Sequence, residues 1–424
     1  MPCWRARSAA VAVAVACVLS LVAAPVRAQE PVHDMGAMNE RGASTSVSLG
    51  AQAVALVTSA RPAIAGGALT EGYLTQPAIM GSARLFGGRA SIVGTLMLEG
   101  VTLRRGELNT GMYGEGFVDR RHPHTYVHEL VGTLYGSAGA ARGSLSFGRG
   151  YVPFGTDDPM MRPFVSFPVN HHLSQVLERL VAAGALRLSR VTLEAGTFNG
   201  DEPIGPGSPP NVRRFGDSWA VRATVNPRAH ADLSASYADV ASPEDRAGNG
   251  LRQKKYNLAA RYHDGDMTGD RRYALLEWSM SDEYNRGSRA FRFTSVLGEG
   301  EMRRHGVAVA LRIESTVRPE EERLLDLYRV IFPTADVQLQ GRTRFSIASV
   351  ALKRELPALG PLGAEPFLEV SAIAPAAVDR PAVFVPRDFY GASRIWNLSA
   401  GVRLAVGAMH QRMGRYGVAR EGGH

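Results

Sequence analysis

Cysteine is nearly absent: the 424 residues hold two, Cys3 and Cys17. Both fall in a stretch that reads as an export signal. Arg5 and Arg7 precede an apolar run from Ala9 to Ala24, and Val26-Arg27-Ala28 forms a small-residue cleavage site, so cleavage is expected after Ala28. The run is short for an anchor helix and ends at Pro25. Acylation at Cys17 fits poorly, because the apolar run continues past it and Ala14 stands where a larger aliphatic is usual. The expected mature chain has no thiol, which excludes disulfides, thiolate metal sites and a cysteine nucleophile. It must hold together by backbone pairing and packing.

Lysine is scarce too, occurring only at Lys254, Lys255 and Lys353, so nearly all of the 48 basic residues are arginine. The formal charge is +8, but the basic residues scatter through alternating segments instead of forming one patch, which argues against a nucleic-acid partner. Beyond the signal no run approaches ~18 consecutive apolar residues, so a transmembrane helix is excluded. With 45% hydrophobic and 21% charged residues the chain is not of disordered composition, and 46 glycines and 24 prolines supply turns.

What is present is strict alternation. Trp219, Val221, Ala223 and Val225 alternate with Ser218, Ala220, Arg222 and Thr224, and after the turn Asn226-Pro227-Arg228 the pattern resumes with Leu233, Ala235 and Tyr237. It returns at residues 256–263, 306–314 and 396–406, and less regularly at 46–58, 78–86, 90–101, 131–137, 143–151, 185–197, 273–279, 344–352 and 366–372. One face of each segment is apolar and the other carries Arg, Glu, Asn, Ser and small residues. A secreted sandwich or solenoid would alternate in the same way. Export, coverage of nearly the whole length, and segments of about nine or more residues favour strands that cross a bilayer in a closed barrel, where every backbone group is paired. The expectation is an all-β, transmembrane antiparallel β-barrel of about 16 strands, within a range of about 14 to 18. Its parts are a signal at 1–28, a polar tail at 29–43, the barrel at 44–407 and a second tail at 408–424. Such barrels commonly end on an aromatic residue; here only Tyr416, displaced inward, is available for that role. A short helix is expected within "VRPEEERLLDLYRV".

Two segments, "GFVDRRHPHTYVHELVGTLYG" and "SLSFGRGYVPFGTDDPMMRPFVSFP", resemble bacterial outer-membrane porin-like barrels, in particular a poorly characterised group with a D-R-x-H-P-H segment on an early strand. The "GYVPFG" strand end followed by "RPF" resembles porins of the phosphate-selective type. The match covers about sixty residues. It implies an outer-membrane location and a pore or barrel role, with no catalytic residues and no defined solute.

Several groups of residues carry possible chemistry. In "DRRHPHTYVHE", period two places His122, His124, Tyr126 and His128 on one side, with His122 and His124 roughly 6–7 Å apart at Cβ. The histidines, with Asp119 or Glu129, form a candidate zinc or copper site that needs one more ligand from a neighbouring strand. The plainer account pairs Asp119 and His122 with Arg120 or Arg121 at the barrel rim. His33, Met35 and Met38, together with Met409, His410 and Met413, offer soft ligands suited to Cu(I), or are ordinary tail residues. The long stretch after residue 150 is the candidate constriction, with Asp157, Asp158, Arg162, His171 and His172. Ser174 lies too close in sequence to His171 and His172 to form a convincing hydrolase triad. Arg222, Arg261, Arg312 and Arg403 fall on the polar phase of four strands. They are expected to line the lumen and favour anions, or to pair with interior acids such as Glu194 or Glu314.

The reading is a non-enzymatic, porin-like channel of the bacterial outer membrane for passive diffusion of small polar or anionic solutes. A copper- or zinc-handling barrel and an outer-membrane hydrolase are the alternatives. Outer-membrane lipid is the expected surrounding, no cofactor is called for, and a homo-oligomer is compatible although no subunit face is marked.

Overall fold

A computed structural model describes residues 45–62, 67–103, 106–109, 119–121, 123–265, 269–321, 339–410 and 412–420. The export signal, the tail with His33, Met35 and Met38, and His122 lie outside the described residues. The strands, in chain order, are β1 (Ser46–Arg61), β2 (Leu69–Leu85), β3 (Ala90–Met97), β4 (Glu107–Asn109), β5 (Asp119–Arg121), β6 (Val127–Ala138), β7 (Ala141–Gly150), β8 (Arg179–Leu188), β9 (Val191–Phe198), β10 (Ser218–Arg228), β11 (Ala231–Ala241), β12 (Arg252–Asp264), β13 (Arg271–Asn285), β14 (Ser288–Arg304), β15 (Val307–Glu321), β16 (Leu339–Arg354), β17 (Leu362–Ala377) and β18 (Ile395–Gly407). Sixteen of them form one closed barrel in which β1 meets β18 and β3 meets β6, while β4 and β5 make a separate two-stranded ribbon. Every barrel pairing is antiparallel between neighbours, and closure leaves no open edge.

The alternation read from the sequence maps onto this wall with its usual sense inverted. The apolar phase points outward: Leu276 is 67% exposed and Ile313 71%. The polar phase points inward and is buried: Arg222 and Glu314 are each 2% exposed. In water such an exterior would be a continuous apolar patch far beyond what soluble proteins show; against lipid tails it is the required surface. Hydrophobic residues also fill much of the interior, as where Val54, Leu56 and Phe367 on the wall pack against Val165.

The two ends of the barrel differ in their connections. Those at 86–89, 139–140, 189–190, 229–230 and 305–306 are short and share one end with the start of β1 and the finish of β18. Those at 98–126, 151–178, 199–217 and 378–394 are long and lie at the other end. In barrels of this type the short turns are periplasmic and the long loops face outside.

Three local expectations change. The segment 185–197, read as one strand, is the hairpin β8–β9; Ser189, at φ 53°, turns the chain without glycine or proline. Residues Val317–Glu321 of the expected helix continue β15, and 322–338 lie outside the described residues. The chain after Gly407 is not an appendage: from His410 to Ala419 its described residues are buried.

Val296, near the middle of β14, is 59% exposed on the lipid face. Val296→Arg is expected to destabilise the barrel by about 2–4 kcal/mol. Urea unfolding in lipid vesicles measures this, and a cost under about 0.5 kcal/mol would mean the face is not in lipid.

Candidate functional site

The segment 151–178, between β7 and β8, folds into the barrel, and nearly all of it is buried. Its helical content is two single turns, Pro159–Met161 and His171–Ser174, the first capped by Asp158, whose Oδ1 accepts from the Met160 amide at 2.8 Å. Most of its backbone groups therefore need partners from elsewhere. The wall answers with carboxylates on four strands, two of them holding backbone amides and two holding side chains of the segment. Glu369 of β17 accepts from the Val165 and Ser166 amides (2.6 and 3.1 Å). Glu314 of β15 accepts from the Val169 and Asn170 amides (3.2 and 2.8 Å). Glu277 of β13 accepts from the Thr156 hydroxyl and the Asn170 side-chain amide, both at 2.5 Å. Glu299 of β14 holds Arg162 at 2.6 Å on one oxygen and Arg312 at 2.8 Å on the other. Cations take the carbonyls: Lys353 Nζ donates to Pro163 O at 2.9 Å, Lys255 Nζ to His172 O at 2.6 Å, and Arg312 Nη1 to Ser166 O at 2.8 Å. Gly155, at φ +71°, sits where the two arms of the segment touch; a Cβ there would overlap the Ser174 carbonyl.

The chain after β18 turns back through the short-turn end and meets this segment. Arg412 pairs with Asp157 (3.1 Å) and Asp232 (3.0 Å), and Arg415 lies 3.6 Å from Asp157 and 3.8 Å from Glu194. The Asp158 amide donates to Met413 O at 3.3 Å, and Arg222 Nη2 donates to Gly414 O at 3.0 Å. Tyr416 does not close the last strand; it is buried inside, where its Oη accepts from the Tyr151 amide at 2.9 Å. Burial alone would raise the Asp157 pKa, but Arg412, Arg261 and Arg415 hold it well below the usual carboxylate range. Burial, with Arg420 nearby, pushes His410 down to about 3, so its ring is neutral and donates from Nε2 to Gly81 O at 3.3 Å.

The histidine segment departs from period two. The register between β3 and β6 shifts at Thr95/Leu96, so two residues of β6 face one step of β3. This bulge turns His128 and Glu129 inward together, while Tyr126 is exposed and His124 is buried before the strand begins. The expected one-sided row of His122, His124, Tyr126 and His128 is therefore not what forms. The His124 and His128 rings stand edge to face, 4.6 Å between centroids, each committed to its own carboxylate: His124 Nδ1 to Glu99 and His128 Nδ1 to Glu178, both at 2.8 Å. The Tyr151 hydroxyl donates to Asp158 at 2.6 Å, so His128 Nε2 donates to the Tyr151 oxygen at 2.7 Å. This chain ties the wall to both arms of the inward segment. Of Asp119 only the backbone, in β5, is described. Among the described residues no group of three or more His, Asp or Glu is arranged to hold a metal ion. Met413 packs in an apolar cluster with Tyr151, Met160, Met161 and Phe167. Ser174 Oγ donates to the His171 carbonyl at 3.3 Å.

Three of the four lumen arginines are paired. Arg222 grips Glu194 through Nε and Nη2 (2.6 and 2.7 Å), Arg261 lies 3.1 Å from Asp232 and 3.4 Å from Asp157, and Arg312 holds Glu299. Arg403 stands across from Val54 and Glu365 in the register; among the described residues it makes no ion pair, and its Nε and Nη2 find no hydrogen-bond acceptor. The residues named for the constriction, Asp157, Asp158, Arg162, His171 and His172, all lie on the inward segment. Sequence reasoning missed their counterparts Glu277, Glu299 and Glu369, whose only signal was an acid on the polar phase of a strand. It also missed the returning tail.

No family model matches the chain, and neither does any curated protein. Among solved structures the barrel is similar to an anion-selective porin from Comamonas acidovorans, with TM-score 0.50 and 11% identity over 85% of this chain and 100% of that one. It is also similar to a loop-deletion form of OmpT, an outer membrane protein of Vibrio cholerae (TM-score 0.49, 9% identity, 85% and 99%), and to Pseudomonas aeruginosa OpdK solved with vanillate (TM-score 0.41, 11% identity, 85% and 99%). At these identities the likeness is one of fold, that of the outer-membrane porins.

Glu369→Leu leaves the Val165 and Ser166 amides without acceptors and is expected to cost about 1–3 kcal/mol, read from the denaturation midpoint in detergent; an unchanged midpoint would show that the segment is not clamped there. The Asp157 pairing has a pH signature. Its folded-state value lies below the ordinary one, so its stabilisation is complete above about pH 4 and is lost only as pH falls through the depressed value. A nitroxide on Arg420→Cys should stay immobile from about pH 7 to about pH 4 and loosen below that; release near pH 6 would contradict it.

Proposed function

We propose that the chain is a porin-like channel of the bacterial outer membrane, exported by its first 28 residues, for small polar or anionic solutes. The observation that carries this reading is a closed lipid-facing barrel whose interior holds a long segment clamped to the opposite wall by four glutamates. Such a segment narrows a lumen and sets what passes. The tail from residue 408 narrows the short-turn half in the same way. A preference for anions is supported by the wall of that half. Arg261, Arg271, Arg303, Lys353 and Arg403 line it; the first four pair with Asp157, Asp232, Glu301, Glu355 and Glu365, and Arg403 makes no ion pair among the described residues. Of these, Arg403 has the guanidinium least committed to a partner. Assembly into a homo-oligomer fits the class.

The test is single-channel conductance of the refolded chain in planar bilayers, with the reversal potential measured in a KCl gradient. Stable steps with an anion-selective reversal potential are expected, and Arg403→Glu should move that potential toward cation selectivity. Correctly inserted but silent protein would overturn the open channel, and a reversal potential unmoved by Arg403→Glu would remove that residue from the path.

A further inference from the structure

The outward face of β10–β14 carries charge at the long-loop end, where the strands enter the membrane. The register brings Trp219, Asp239, Lys254, Asp282 and Arg292 into one outward row, with Arg252 and Arg289 flanking Tyr284 one step nearer the rim. Two carboxylates thus meet four cations. Arg252 pairs with Asp239 at 2.5 Å, Arg292 grips Asp282 at 2.6 and 2.7 Å, and Arg289 lies 4.0 Å from the same carboxylate. The Lys254 ammonium rests 4.8 Å above the Tyr284 ring and, among the described residues, makes no ion pair. The carboxylates lie beneath, with side chains 11% and 5% exposed, while those of Arg252, Arg289 and Arg292 are 47%, 50% and 42% exposed. The face offered outward is therefore cationic.

The row below begins with Tyr237 and Tyr256, whose rings stand 5.1 Å apart. They head an apolar groove of about 1420 Å³ on the lipid side, floored by Gly184, Ala195, Ala223 and Ala235 and walled by Leu193 and Trp278. It is open along its length and extends from Tyr237 and Tyr256 across the strands to Leu134 and Ala141.

We propose that this face is a docking site for one anionic lipid, with its phosphate on Arg252, Lys254 and Arg292 and its acyl chains in the groove. Four cations against two carboxylates leave a net positive charge for a phosphate, Lys254 brings an ammonium that makes no ion pair among the described residues, and the small floor residues leave the space that chains require. The site lies on the outer wall and holds whether or not the lumen conducts.

Native mass spectrometry of the full chain in non-ionic detergent tests this. The chain is titrated with phosphatidic acid and with diacylglycerol of the same acyl chains. Phosphatidic acid should bind at one per chain and diacylglycerol about a hundredfold more weakly, since each basic residue near a lipid phosphate contributes several-fold. The R252Q/K254Q/R292Q variant should lose that preference, and inorganic phosphate should not compete. If that variant does not fold, Ala223→Trp fills the groove without touching charge and should weaken phosphatidic acid binding. Equal binding of the two lipids, an unaltered preference in the triple variant, undiminished binding by Ala223→Trp, displacement by inorganic phosphate, or an oligomer that covers the face and excludes lipid would each overturn the proposal.

Discussion

Inside this barrel an irregular stretch of chain lies far from bulk water, and its amides have to be satisfied by the wall. The outward side faces lipid, so strand must pair with strand all the way round. The inward side faces a segment with only two single helical turns, which cannot satisfy its own backbone. Glu314 on β15 and Glu369 on β17 accept from four of these amides, while Glu277 on β13 and Glu299 on β14 hold the segment by its Thr156, Asn170 and Arg162 side chains. The position of the segment, and so the shape of the interior, follows from four acids on alternate positions of otherwise ordinary strands.

Period two made the wall legible. The number expected, about sixteen, is the number in the observed barrel, although β14 was not read as a strand, and the phase carrying Arg222, Arg312 and Arg403 is the inward one. Where the pattern broke, the reading broke for local reasons. The β8–β9 turn has no glycine or proline to announce it, so two strands looked like one. The β6 bulge adds one residue, enough to turn His128 to the same side as Glu129 and to separate it from Tyr126. The returning tail has no periodicity; only its partners Asp157, Asp232 and Glu194 reveal its place.

The arginines show how far alternation reaches. It finds which residues face inward but not whom they meet. Arg222 stands directly across from Glu194 and Arg312 directly across from Glu299, pairings that follow once the hairpin registers are known. Arg403 also has an acid, Glu365, across from it but no ion pair to it. Three arginines with the same sequence signature thus differ: two are held in an ion pair by the acid across from them, and one is not.

The tail after Gly407 bears on the order of assembly. It re-enters the barrel by the end through which β18 leaves, so no strand has to be threaded. Its anchors come from three places far apart in sequence, Asp157 on the inward segment, Glu194 on β9 and Asp232 on β11. None of them is in position until those strands have paired and the segment has folded in. Docking of the tail therefore depends on a wall already paired and on the inward segment already in place.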